Sequence, residues 1–197
     1  MMAKRAFDIA FSAFALLLVA PLLPALAVLV IAESGWPIFY LGWRAGKNGK
    51  PFRIIKFRTM VPDAEKRGGA ETAADDPRIT RVGSILRRYK LDELPQFINV
   101  FIGDMSLVGP RPEVLDEVRL YGEQERALLS VRPGITDWAS IKFRHEGEIL
   151  RGAADPKRVY HEKIQPEKIR LGLKYVSERS MLVDLAILAN TVRAILQ

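Results

Sequence analysis

Apolar and polar positions divide this chain into zones of different period. The first zone is an apolar run from Ala6 to Ala32 in which Asp8 is the sole charge, preceded by Lys4-Arg5. At the rise of an α-helix the run measures about 40 Å, longer than a hydrocarbon core of roughly 30 Å, so a plain spanning helix is one reading. A secretory signal is another, with Lys4-Arg5 as its charged start and Ala25-Leu26-Ala27 as a cleavage site, although the run exceeds the usual signal length. Pro21 and Pro24 favour a third reading. Each removes a backbone donor and clashes with the preceding turn, so the pair bends the helix near its middle. Basic residues flank the run on both sides, Lys4 and Arg5 before it and Arg44, Lys47 and Lys50 after it. That pattern suits a hairpin entering and leaving by one face better than a crossing.

Beyond Gly35-Trp36-Pro37 the pattern becomes that of a soluble domain. Pro51 to Phe57 alternates imperfectly and predicts a short strand. Val61 to Thr80 is rich in Gly, Ala and Asp and reads as a mobile surface loop. Helical spacing returns from Val82 to Tyr89 and from Glu93 to Phe101, and Pro110, Pro112, Pro133 and Gly134 then cut the chain into short elements. Met181 to Leu196 repeats apolar residues at helical spacing, as a helix facing a core or lying in a membrane interface does.

Composition narrows the choices. With 49% hydrophobic and 27% charged residues the chain is neither disordered nor a multi-span membrane protein. Lys and Arg outnumber Asp and Glu by 30 to 23, and the net charge of +7 favours anionic partners: phospholipid headgroups, phosphorylated substrates or nucleic acid. The absence of cysteine removes disulfides and thiolate metal sites, and the two histidines, His145 and His161, stand too far apart in sequence to argue for zinc. A nucleic-acid binder ranks last, because no basic face with interleaved aromatics is evident and the apolar N-terminus has no place in it.

The densest chemistry lies in Arg87-Arg88-Tyr89-Lys90-Leu91-Asp92-Glu93-Leu94-Pro95-Gln96. Pro95 belongs in the first turn of a helix, so a helix is predicted to start near Asp92. Asp92 then has two readings. It is an N-cap, with Glu93 complementing the helix dipole, or it is an ionised carboxylate among Arg87, Arg88 and Lys90, able to attack phosphorus and form an acyl phosphate. In the second reading Glu93 offers a hard oxygen ligand for Mg²⁺. Gly109-Pro110-Arg111-Pro112 stiffens the backbone around a guanidinium suited to bidentate phosphate recognition, or is a structural turn with a surface arginine. Lys56 and Arg58, in Lys56-Phe57-Arg58-Thr59-Met60, are either phosphate contacts or an ordinary basic strand edge.

Taken in order, Lys56 to Met60, Leu91 to Gln96, Asn99-Val100, Gly103 to Pro112 and Arg132-Pro133-Gly134-Ile135-Thr136 make the chain resemble the bacterial sugar transferases, and among them the small monotopic phosphoglycosyl transferases. The resemblance is collinear from about Lys4 to the C-terminus. It implies a helix-rich α+β fold, with a Pro-broken re-entrant membrane helix over residues 1–34 and a catalytic domain with interfacial helices over 35–197. It implies transfer of a sugar phosphate from a UDP-sugar to polyprenyl phosphate through a covalent aspartyl intermediate, releasing UMP at the cytoplasmic face of the bacterial inner membrane. Asp92 takes the nucleophile's position and Glu93 that of the Mg²⁺ ligand, while Arg87, Arg111 and Arg144 match arginines around the phosphates and nucleotide. Partners beyond the two substrates are membrane lipids and a homo-oligomeric copy, with no nucleic acid.

Two departures stand out. Ala20-Pro21 replaces the family's usual Ser-Pro, and Asp137 and Ser140 replace Gly and Gln in Gly134-Ile135-Thr136-Asp137-Trp138-Ala139-Ser140-Ile141. Asp137, Glu146 and Glu148 become candidates for recognising the donor sugar, against a reading as solvated loop charges. A catalytically silent membrane scaffold is the alternative from another class.

Overall fold

A computed structural model describes residues 2–69 and 71–196. The apolar run forms α1 (Met2–Val19) and α2 (Leu22–Ser34), which meet at a bend of 62°. Pro21 stands at the break, and Pro24 falls in the first turn of α2, where a missing N–H costs nothing. Among the described residues no single helix is long and apolar enough to cross a membrane; α1 and α2 meet that test only as a bent pair. The buried side of α1 is a narrow stripe of Asp8, Ser12 and Ala15, whereas Phe14, Leu17 and Leu18 are 63%, 76% and 69% exposed. Such an exposed apolar face is more than a water-facing helix of a globular domain ordinarily carries.

The chain then turns into an antiparallel hairpin of β1 (Phe39–Ala45) and β2 (Pro51–Phe57), in register from Phe39 against Phe57 to Ala45 against Pro51. The strand expected over Pro51 to Phe57 is present over that range. Its outer edge is closed by Asn99, whose Oδ1 accepts from the Ile55 N–H at 2.9 Å and whose Nδ2 donates to the Arg53 carbonyl at 2.8 Å. One amide thereby satisfies two backbone groups that an edge strand leaves open.

Short elements follow: α3 (Ala64–Arg67), α4 (Arg81–Arg88), α5 (Gln96–Ile102), β3 (Ser106–Val108), α6 (Leu115–Arg119), β4 (Gly134–Thr136), α7 (Trp138–Lys142), α8 (Glu146–Leu150) and α9 (Pro156–Val159). A π-helical turn, Tyr160–Ile164, leads into α10 (Gln165–Glu178), and α11 (Met181–Leu196) ends the fold. β3 and β4 pair in parallel, Ser106 against Gly134 and Val108 against Thr136. Gly109 and Gly134 lie backbone to backbone there, and a Cβ on either would overlap the other chain segment.

Three apolar clusters place the remaining elements, the smallest of them, Ala73, Leu150, Tyr160 and Ile164, seating α8 and the π-helical turn. Phe52, Ile54, Val100, Met105, Leu107, Val108, Tyr175 and Ile187 form the largest one beneath the hairpin. Leu26 and Val30 of α2 pack with Phe57 and Leu86 in the second, joined by Leu91 and Leu94. The fold is therefore helix-rich α+β with two small sheets.

The segment from Val61 to Thr80, expected as a mobile loop, is organised around one buried guanidinium. Arg78 pairs with Asp76 at 2.7 Å and donates to the carbonyls of Ala64 at 3.1 Å and Gly69 at 3.0 Å.

Candidate active site

The helix predicted to start near Asp92 starts at Gln96 instead. Lys90 takes a left-handed conformation (φ 58°) and Leu91–Glu93 is a single 3₁₀ turn. The reason is packing. Residues three apart on a 3₁₀ turn lie on one side, so Leu91 and Leu94 both reach the α2 cluster and turn Asp92 and Glu93 the other way. That other side lines a large open cleft, shared with Lys56, Arg58, Arg87, Lys90, Arg111 and Arg144.

Glu93 is held by two cations through one oxygen. Its Oε1 accepts from Lys56 Nζ at 2.7 Å and from Arg111 Nη2 at 2.9 Å. Burial alone pushes this carboxyl up, but Arg111, Lys56 and Lys90 outweigh it and hold Glu93 well below the usual carboxylate range. Asp92, beside it, has the opposite fate. It is 7% exposed, and its Oδ1 has no hydrogen-bond partner. Burial, reinforced by the charge of Glu93, raises its carboxyl above the usual range against the pull of Lys56, Arg87 and Lys90. The capping role is absent: no side-chain cap closes the turn or α5. A desolvated carboxylate with an unpartnered oxygen thus lines the cleft close to Lys56, Arg87 and Lys90.

The expected site residues do not all behave alike. Arg87 anchors through Nε to Thr59 Oγ1 at 2.8 Å. Arg58 turns away to finish α2: its Nη2 donates to the carbonyls of Ser34 and Gly35, each at 2.7 Å, and to Ser34 Oγ at 2.8 Å. It closes a helix C-terminus, with Nε and Nη1 left without partners. Arg144 reaches the Ile195 carbonyl of α11 at 3.3 Å, leaving Nε buried and unpartnered. Of the three acids in the divergent segment, Asp137 accepts from the Ser140 N–H at 2.6 Å as the cap of α7, and Glu148 pairs with Arg151 in the open. Glu146 and Glu148 both line the cleft, and Glu146 pairs there with Lys168. Sequence reasoning passed over Glu113, Tyr160 and Lys168, which line the same cleft. Glu113 was in view, immediately after Pro112; the other two carry no local signal.

The groups nearest in kind to a conventional metal set stand apart from the dyad, although two of them, Glu71 and Glu117, line the same cleft. Among the described residues Glu71, Glu117 and His161 bring ligand atoms within 4.8 Å of one another.

Comparison with known proteins gives this geometry its context. The model of the bacterial sugar transferase family matches residues 1–197. The chain belongs to that family. It is 38% identical over 196 residues to the UDP-N-acetylgalactosamine-undecaprenyl-phosphate N-acetylgalactosaminephosphotransferase of Aeromonas hydrophila, covering 98% of this chain and 43% of that protein. It is 38% identical over 197 residues to the UDP-glucose:undecaprenyl-phosphate glucose-1-phosphate transferase of Escherichia coli, covering 96% and 39%. The uncharacterized sugar transferase EpsL of Bacillus subtilis is 37% identical over 196 residues, covering 100% and 88%. The chain thus spans about two fifths of the first two relatives (43% and 39%) and most of the third. Membership makes this bacterial sugar transferase a transferase, with a cleft built around a carboxylate pair and basic groups.

Proposed function

We propose that the chain moves a sugar 1-phosphate from a UDP-sugar to a polyprenyl phosphate in two steps through Asp92. The observation that carries the reading is the buried, unpartnered Oδ1 of Asp92 beside a Glu93 locked by Lys56 and Arg111. In the first step an Asp92 oxygen bonds to the β-phosphorus. The bond from that phosphorus to the bridging oxygen breaks, and UMP leaves with the oxygen. In the second step a phosphate oxygen of the lipid bonds to the same phosphorus, freeing Asp92 and giving a polyprenyl diphosphate sugar. Atoms and charge balance with no further reactant.

The residues fit a hard divalent cation. Asp92 offers a free carboxylate oxygen, and Glu93 is held ionised, although its Oε1 is engaged by Lys56 and Arg111. Glu93 would hold Mg²⁺, which would neutralise phosphate charge when bound, leaving the free Asp92 oxygen for attack. Arg87 and Arg111 orient the diphosphate, and Arg144, which lines the same cleft, faces the nucleotide.

The lipid acceptor calls for a membrane seat. In this reading the bent α1–α2 pair (residues 1–34) enters one leaflet at the cytoplasmic face of the inner membrane, and the catalytic domain follows over 35–197. Support comes from the exposed Phe14, Leu17 and Leu18 of α1. It also comes from α11, which buries Asp184 and Ile187 on one side and exposes Leu182 and Leu185 on another.

The test is UMP release from purified protein given a panel of UDP-sugars, polyprenyl phosphate and Mg²⁺. Release is expected with at least one donor and lost in Asp92→Asn. Release that survives Asp92→Asn removes that residue as nucleophile, and no release with any donor favours a silent membrane scaffold.

A further inference from the structure

Past Arg111 the cleft continues into a pocket of different chemistry. Glu113 follows Pro112, and its backbone carbonyl is pinned by the Ala45 N–H at 3.0 Å. Its Oε1 accepts from the Tyr160 hydroxyl at 3.2 Å. Lys168 of α10 pairs with Glu146 of α8 at 2.5 Å and lies 4.8 Å above the Tyr160 ring. These four side chains and Arg111 all line the cleft that also holds the nine-tenths-buried Asp92 with its free oxygen.

Charge decides what such a pocket accepts. Glu113 and Glu146 add negative charge beside Arg111, and Lys168 is already paired with Glu146, so the diphosphate belongs with Lys56, Arg87 and Lys90. A neutral polyol is matched instead: carboxylates accept from hydroxyls, and the ammonium donates to hydroxyl oxygens. The covalent structure of the donor agrees. Its hexose is bonded to the very phosphorus that Asp92 attacks, so it stays within one phosphoester linkage of the nucleophile. UMP departs in line on the opposite side. Arg111 touches Glu93 and stands two residues from Glu113, so one short stretch of chain joins the dyad to these residues.

We propose that Glu113, with Tyr160, Glu146 and Lys168, forms the subsite for the donor hexose and sets which hydroxyl pattern is accepted. The assignment rests on the donor reading above and adds the residues that select the sugar. Glu113 is half-buried, and desolvation lifts its carboxyl above the usual range against the pull of Lys168 and Arg111. Hydroxyls donating to it replace the water it has lost.

The test uses equilibrium binding, which needs no turnover. Affinities of the full chain in detergent are measured for UDP, UDP-glucose and UDP-galactose, before and after Glu113→Gln. The expected result is a change of about ten-fold in the contribution of the hexose, taken as each UDP-hexose relative to UDP, with UDP affinity within about two-fold. Tyr160→Phe, which frees one Glu113 oxygen while keeping the ring, shifts the same ratio in a smaller step and serves if Glu113→Gln does not fold. An unchanged hexose contribution in both variants overturns the assignment, as does an equal loss for UDP and both UDP-hexoses, which places the uridine there. Failure of the two-step reading shows separately, as UMP release that persists in Asp92→Asn.

Discussion

Lys56 and Arg111 converge on a single oxygen of Glu93, one from strand β2 and one from the loop after β3. Two segments far apart in sequence are thus tied through one carboxylate, and the neighbouring Asp92 is left as the sole unpaired member of the dyad. The consequences for stability have opposite signs at adjacent positions.

Asp92→Asn removes a buried charge with an unpartnered oxygen and should stabilise the fold by about 1 kcal/mol, or roughly 2–4 °C in Tm. Glu93→Gln leaves Lys56 and Arg111 facing each other without a counter-ion and should destabilise by about 3 kcal/mol. Thermal unfolding in detergent checks both. A fall in Tm for Asp92→Asn would mean its carboxylate is structurally satisfied after all.

The pH dependence follows from the two carboxyls. Asp92 has a raised folded-state pKa, so between the ordinary aspartate value of 3.8 and that raised value the folded chain binds more protons than the unfolded one. Stability in that window falls as pH rises. Glu93 is depressed well below 4.5, so its contribution is present above 4.5 and is lost only as pH falls through the much lower folded value. On acidification from neutral, UMP release should therefore decline as Asp92 takes its proton, with no accompanying loss of Tm from this pair. Parallel rate and melting curves at each pH test the separation, and a Tm that drops in step with the rate contradicts it.

Arg58 is expected to matter for the fold more than for substrate. Arg58→Ala strips Ser34 and Gly35 of their donors at the end of α2 and should cost about 2–3 kcal/mol. Arg58→Lys should recover little, because one ammonium cannot reproduce the guanidinium's reach to both carbonyls. Proteolysis near residues 34–38, faster in both variants than in the parent, is the readout. A substrate-contact role would instead raise KM while leaving proteolysis unchanged.

Asp8→Leu makes the apolar run uninterrupted, yet it should destabilise by about 2 kcal/mol. Asp8 Oδ2 accepts from Ser106 Oγ at 2.9 Å and Oδ1 from the Leu107 N–H at 3.1 Å, and the variant leaves both donors buried without a partner. A melting temperature at or above the parent's would show that these two bonds contribute nothing.

Much of this arrangement was legible in the residues themselves. Pro21 and Pro24 announced the break between α1 and α2, alternation gave β2 its range, and the motif blocks pointed to Asp92, Glu93, Arg87 and Arg111. What stayed hidden depended on partners distant in sequence. Arg58 reads as a basic strand edge until Ser34 is seen to need a donor, and the start of α5 moved because Leu91 and Leu94 answer to Leu26 and Val30 of α2. Tyr160 and Lys168 sit on a π turn and a helix whose local patterns say nothing of the cleft they close. Asp8 looked like a blemish in an apolar run; its function is set by β3, about a hundred residues away (|i−j| of 98 and 99).

The grip of α1 on the rest of the chain has a mechanical corollary. Within its first turns, Lys4 donates to the Val108 carbonyl, Arg5 to the carbonyls of Val100 and Phe101, and Asp8 holds Ser106 and Leu107. Those contacts seize both ends of the strand that delivers Arg111 and the far end of the helix that follows the dyad. Rolling or sliding the first helix would therefore pull on the guanidinium that holds Glu93, so in the proposed membrane seat the depth and pitch of that helix would set the height of the proposed nucleophile as firmly as a keel sets the trim of a hull.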